Sequence, residues 1–156
     1  HPDIVGINVP FTAQFENAAA IASLCRETVP KAVVVLGGPD PSIRYERILE
    51  DGHADYCVVG EGEDTFREFV SALADGRDPA GIPGVACIRG GSLNYERRPF
   101  ITALDRLPLP AHDLVNAEEY FESHYLYANR GGTTERSVSL VTSLSLIHIS
   151  EPTRPY

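Results

Sequence analysis

Three short apolar runs rich in β-branched residues, each closing on a loop with glycine or polar side chains, constrain this chain most. They are residues 3–9, 32–36 and 54–59. Continuous apolar runs of this length suit strands buried on both faces of a parallel sheet. After the first, Phe15, Ala18, Ala19, Ala22 and Cys25 recur at helical spacing and Pro30 ends the stretch. After the second, Tyr45, Ile48 and Leu49 mark a short helix, with Gly52 as its C-terminal stop. After the third, Thr65 and Glu68 have the spacing of a capping box, and Phe66, Phe69, Val70 and Leu73 form an apolar stripe that Gly76 closes. The order β-α-β-α-β-α with short connections predicts an α/β fold: a doubly wound parallel sheet with right-handed crossovers.

Beyond the third helix the pattern changes. Residues 84–89 and 93–100 read as two strands around Gly90 and Gly91, a hairpin at the domain edge. Pro108 and Pro110 remove backbone donors and restrict their neighbours, so residues 107–110 are expected to be extended linker. A short helix is expected over 116–127, a break at Gly131 and Gly132, and one more strand over 137–142. Residues 144–154 resemble the peptide read, in one frame, from a transposase-end sequencing adapter. The expected division is therefore a domain over 1–103, a linker and lead-in over 104–143, and a non-native tail over 144–156.

The chain has 156 residues, enough for one hydrophobic core. Its net charge of -9 speaks against nucleic acid, whose binding rests on clustered Lys and Arg. No apolar run approaches the ~20 residues that span a bilayer, and a cytoplasmic protein is expected. Cys25, Cys57 and Cys87 are widely spaced among apolar neighbours, without a C-x-x-C pair. They read as small buried hydrophobes in a reducing compartment.

In open parallel sheets, ligands bind at the carboxyl ends of the strands. Three loops leave such ends: 8–14, 37–42 and 60–64. Gly37 and Gly38 remove two Cβ atoms where a bulky ligand could lie against the main chain, though glycines also simply turn a chain. Asn8 and Thr12 can offer side-chain hydrogen bonds beside them. Gly60 and Gly62 do not make a dinucleotide fingerprint. The third glycine position is Thr65, and Glu61, Glu63 and Asp64 would crowd a pyrophosphate. These carboxylates favour the helix start and can hydrogen-bond a ligand edge. No P-loop is present, and no Ser-His-Asp set or metal cluster is arguable from order alone. No catalytic residue and no metal ligand is assigned.

In this order and spacing, residues 2–7, 35–42, 55–63 with Thr65 and Phe66, 82–85 and 104–113 resemble the cobalamin-binding domain of B12-dependent radical-SAM enzymes. The likeness runs over 2–143. It implies a Rossmann-like, flavodoxin-like fold that is incomplete here, since the family usually has a β-α-β segment before the position of Pro2. It implies that Gly37 and Gly38 lie along the nucleotide tail of a corrinoid, with Pro39 and Ser42 among the cofactor-binding residues. Asn8, Val9 and Thr12, with Gly60, Glu61, Gly62 and Glu63, are implied to line the same cavity. Residues 51–56 begin like D-x-H-x-x-G, the motif whose histidine ligates cobalt in some cobalamin proteins, but end in Tyr56. His53 precedes a strand, at the amino edge of the sheet, and is not expected to be a ligand. Residues 138–143 resemble the lead-in to a radical-SAM barrel, whose [4Fe-4S] cluster and S-adenosylmethionine belong to the longer parent. This piece alone is expected to bind and not to catalyse.

Two other classes remain open on the residues alone. One is an enzyme on the same architecture, such as half of a nucleotide-sugar transferase. The other is a receiver-like or purely structural interaction domain, for which Asn8 stands where a receiver would want an acid.

Overall fold

A computed structural model of the chain describes residues 1–111 and 114–116. Apart from Asn116, the helix expected over 116–127, the break at Gly131, the strand over 137–142 and the tail from Leu144 all lie outside the described residues. The first compact unit runs His1–Leu107. Its strands are β1 (Ile4–Asn8), β2 (Val33–Gly37), β3 (Tyr56–Val58), β4 (Val85–Arg89) and β5 (Ser92–Tyr95). Its helices are α1 (Phe15–Thr28), α2 (Pro39–Glu50) and α3 (Gly62–Ala74).

The five strands form one open sheet in the order β1-β2-β3-β4-β5. β1, β2 and β3 are parallel, as crossover helices require, with Asn8 beside Gly37 and Gly37 beside Val58. β4 turns back antiparallel to β3, and β5 pairs with it as the expected hairpin. β5 ends at Tyr95, well short of the strand expected to reach residue 100.

Period-two alternation splits the core into two layers. Val34 and Leu36 of β2 pack with Ala18 and Ala22 of α1 and with Ile48 and Leu49 of α2. Val35, Tyr56 and Val58 point the other way and pack with Phe69 of α3. Helices therefore cover both faces. Phe69 is fully buried, which stabilises the fold by about 2–3 kcal/mol. Phe66 and Val70, expected in the same stripe, are more than a third exposed. α3 spans the β3 side of its face, leaving Gly6 and Asn8 of β1 exposed.

Two helix starts differ from expectation, for local reasons. α2 begins at Pro39, so residues 39–42, read as loop, form its first turn. Proline is tolerated there because the first helical N–H groups have no intrahelical partner. The helix kinks at Arg44 (φ -115°, ψ 16°). α3 begins at Gly62, so Thr65 sits within the helix and not at its cap. Its hydroxyl donates back to the Glu61 carbonyl at 3.4 Å, and Glu68 pairs with Arg98. The expected capping box is absent because the helix starts earlier than the box requires.

Candidate functional site

The carboxyl ends of the three parallel strands stand side by side, and a cleft of about 520 Å³ opens beside them. Asn8, Gly37 and Val58 are the last residues of their strands, and Gly6 and Val35 lie one step lower. Gly60, Gly62, Glu63 and Phe66 wall the cleft from the β3–α3 loop and the first turns of α3, and Ile7 and Gly38 complete it.

Three of these glycines are glycine for different reasons. Gly38 has φ +105°, and a Cβ built on it would fall 2.3 Å from Asn8 Oδ1 and 3.0 Å from the Val9 carbonyl oxygen. The fold itself demands glycine there. Gly6 and Gly37 have no such constraint. A Cβ on Gly6 would come no closer than 3.8 Å to Phe66 Cζ, and one on Gly37 would meet Val58 at 3.7 Å. Both distances are ordinary van der Waals contact. Glycine inside a strand weakens it, and here the missing side chains keep the cleft floor bare.

Of the loop residues expected to face a ligand, the cleft gathers Asn8, Gly37, Gly38, Gly60, Gly62 and Glu63. The other five hold the loops together instead. Val9 is fully buried; its N–H donates to the Gly37 carbonyl at 2.8 Å, and its own carbonyl accepts from Asp40 N–H at 3.2 Å. Thr12 donates its hydroxyl to Asp40 Oδ1 at 2.7 Å. Pro39 opens α2. Ser42 donates to the Gly38 carbonyl at 2.8 Å and accepts from Gly60 N–H at 2.9 Å. Glu61 Oε2 accepts from Ile101 N–H at 2.6 Å.

Asp40 anchors this edge from beneath. It is 3% exposed and accepts from Arg44 Nε at 2.9 Å and Nη2 at 2.7 Å, as well as from Thr12. The Arg44 hydrogen bonds hold its carboxyl below the ordinary range, against the opposing effect of burial. The Arg44 guanidinium lies over the Phe15 ring at 4.4 Å.

Gly6, Ile7, Val35, Val58 and Phe66 are lining residues that sequence reasoning missed. The available signal was Gly6, a glycine interrupting an apolar strand. Phe66 was hidden by helical spacing that reads as core. His53 packs edge-on against Phe15, ring centroids 5.3 Å apart, and is not among the lining residues. Among the described residues, no group of three or more His, Cys, Asp or Glu could hold a metal ion.

Comparison with known proteins gives the following similarities. Residues 1–70 match the B12 binding domain. The chain is 36% identical over 121 residues to an uncharacterized methyltransferase of Pyrococcus horikoshii, across 76% of this chain and 26% of that protein. It is similar to the radical S-adenosylmethionine methyltransferase TsrM from Kitasatospora setae, solved with cobalamin and a [4Fe-4S] cluster. There the TM-score is 0.55 at 25% identity, over 69% of this chain and 20% of TsrM. The cobalamin-dependent S-adenosylmethionine radical enzyme OxsB, solved with aqua-cobalamin and S-adenosylmethionine, shares the fold. Its TM-score is 0.63 at 22% identity, over 72% of this chain and 16% of OxsB. The B12-binding domain is homologous to the cobalamin-binding modules of radical SAM methyltransferases. The chain spans about a quarter of the length of the first curated relatives it matches.

Proposed function

We propose that this chain binds cobalamin as the cofactor module of a B12-dependent radical SAM enzyme of the methyltransferase or cyclase class. One observation carries the proposal: Gly6 and Gly37 lack side chains that the fold could accommodate, and what they leave open is a cleft at the carboxyl ends of parallel strands. The lining suits a nucleotide tail. Val35, Val58 and Phe66 are apolar walls for a flat ring, and Asn8 and Glu63 are hydrogen-bonding groups at the rim. No histidine lines the cleft, so the described residues would bind the corrinoid through its tail and periphery and leave the cobalt without a side-chain ligand.

When bound, cobalamin supplies a cobalt centre able to carry a methyl group or assist radical chemistry. The chain's share is to bind, orient and exclude water. The iron–sulfur cluster and S-adenosylmethionine would belong to a radical SAM domain in the same longer protein. A cytoplasmic setting goes with this function. Among the described residues no helix is long and apolar enough to cross a membrane, and Cys25, Cys57 and Cys87 carry free thiols.

Equilibrium dialysis of the full chain against hydroxocobalamin and against cobinamide, which lacks the nucleotide tail, tests the proposal. Saturable binding of cobalamin with much weaker binding of cobinamide is expected. Equal affinity for the two would overturn tail binding in the cleft, and binding of neither would overturn the function.

A further inference from the structure

Residues 96–106 pass along α3 as a strap, fastened by one carboxylate just before that helix and two on it. Glu61 immediately precedes α3, and Asp64 and Glu68 stand four positions apart on it, the spacing that puts side chains on one helix face. Glu68 holds Arg98, whose Nε also donates to the Pro83 carbonyl at 2.9 Å. Glu61 takes the Ile101 N–H at 2.6 Å. Asp64, buried, pairs with Arg106 and with Arg67 at 3.3 Å. Leu107 then closes the first compact unit, so the strap is the segment by which the chain leaves it.

The central fastening is continuous with the cleft. Glu61 stands between Gly60 and Gly62, both of which line it. Gly60 N–H donates to Ser42 Oγ at 2.9 Å, and the Ser42 hydroxyl donates on to the Gly38 carbonyl at 2.8 Å. Gly38 lines the cleft as well. The two glycine loops of the site are thus tied to one another through Ser42, and to the strap through Glu61. Backbone bonds rigidify what they join, and a glycine loop has no side chain of its own to do so. A second cavity of about 260 Å³ lies between strap and loops, lined by Ser42, Gly60, Glu61, Tyr95, Arg97 and Phe100 among others. The strap therefore has room to shift against the loops.

We propose that Ser42 and Glu61 are positioning residues that couple the strap to the cleft, so that a ligand in the cleft tightens the strap and a fastened strap tightens the ligand. This rests on the cobalamin function proposed above. Coupling between two sites is reciprocal: whatever factor the strap adds to ligand affinity, the ligand must add to strap closure. A purely structural hydrogen bond carries no such obligation.

Hydrogen exchange of the full chain, read with and without hydroxocobalamin, tests the coupling together with binding to Glu61→Ala, Glu61→Gln and Ser42→Ala. In the wild-type chain, cobalamin is expected to slow exchange at Ile101 and its neighbours by about 5-fold or more, the lower end of ordinary coupling. Glu61→Ala and Ser42→Ala are each expected to weaken cobalamin by a similar factor and to abolish that protection. Glu61→Gln keeps an acceptor oxygen and is expected to restore both. Wild-type binding with unchanged strap exchange overturns the coupling and leaves cobalamin binding standing. Absence of wild-type binding overturns both. The wild-type comparison needs no variant to fold.

Discussion

Asn8 Oδ1 occupies the space where a side chain on Gly38 would begin: a Cβ there would lie 2.3 Å away. The end of β1 and the start of α2 are locked together at this point, and the same two residues line the cleft. Gly38→Ala must therefore both strain the backbone and push the strand end aside. The expected loss is about 3 kcal/mol or more in urea denaturation. Gly52→Ala is the control, since Gly52 also has positive φ (+73°) but nothing within 4 Å of the new Cβ. It is expected to cost about 1 kcal/mol. Equal losses would show that the Asn8 contact does not matter.

Asp40 makes the stability of this edge sensitive to acid. Its folded pKa lies below the ordinary value of 3.8, first because of the Arg44 hydrogen bonds and then the one from Thr12. As pH falls, the unfolded chain takes up the proton first, so the contribution is complete above that ordinary value and is lost through and below it. Asp40→Asn is expected to cost about 2–3 kcal/mol near neutral pH and progressively less towards pH 3. A constant difference across that range, measured by denaturation at several pH values, would contradict it.

Burial pushes the Cys57 thiol up to about 12 and raises Cys87 as well. Cys25 is the one half-exposed cysteine of the three. Treatment of the native chain with a maleimide near neutral pH, followed by peptide mass spectrometry, is expected to label Cys25 alone. All three should react in denaturant. Labelling of native Cys57 as fast as Cys25 would contradict the packing of β3.

Phe66 and Phe69 stack 6.1 Å apart on one helix, but only Phe69 is core. Phe69→Ala is expected to cost about 3–5 kcal/mol. Phe66→Ala should cost about 1 kcal/mol or less while weakening cobalamin binding. A Phe66→Ala chain that binds cobalamin as tightly as wild type would remove Phe66 from the cleft wall.

The three parallel strands were legible because continuous apolar runs are local signals, and the second and third end abruptly in glycine. The helix starts were not. Pro39 and Gly62 both read as loop, yet proline fits a first helical turn, and Gly62 lies at the start of α3. That shift turned Thr65 and Glu68 into a false capping box. At the site, glycines and Asn8 were readable, whereas Ser42 and Glu61 carry ligand-like chemistry but bond to backbone groups. Glu61 meets Ile101 across 40 positions of sequence and Asp64 meets Arg106 across 42, which no local pattern encodes.

The cleft itself is tested most directly by filling it. Gly6 has ordinary backbone angles and only Phe66 Cζ near its missing Cβ, at 3.8 Å, so Gly6→Leu can fold and project a side chain into the open space. Calorimetric titration of hydroxocobalamin into the wild-type chain and into Gly6→Leu, with melting curves of both, is the decisive measurement. If the cleft holds the nucleotide tail, wild type binds, and Gly6→Leu loses binding while still melting cooperatively. A cooperatively folded Gly6→Leu chain that binds cobalamin as wild type does would contradict it.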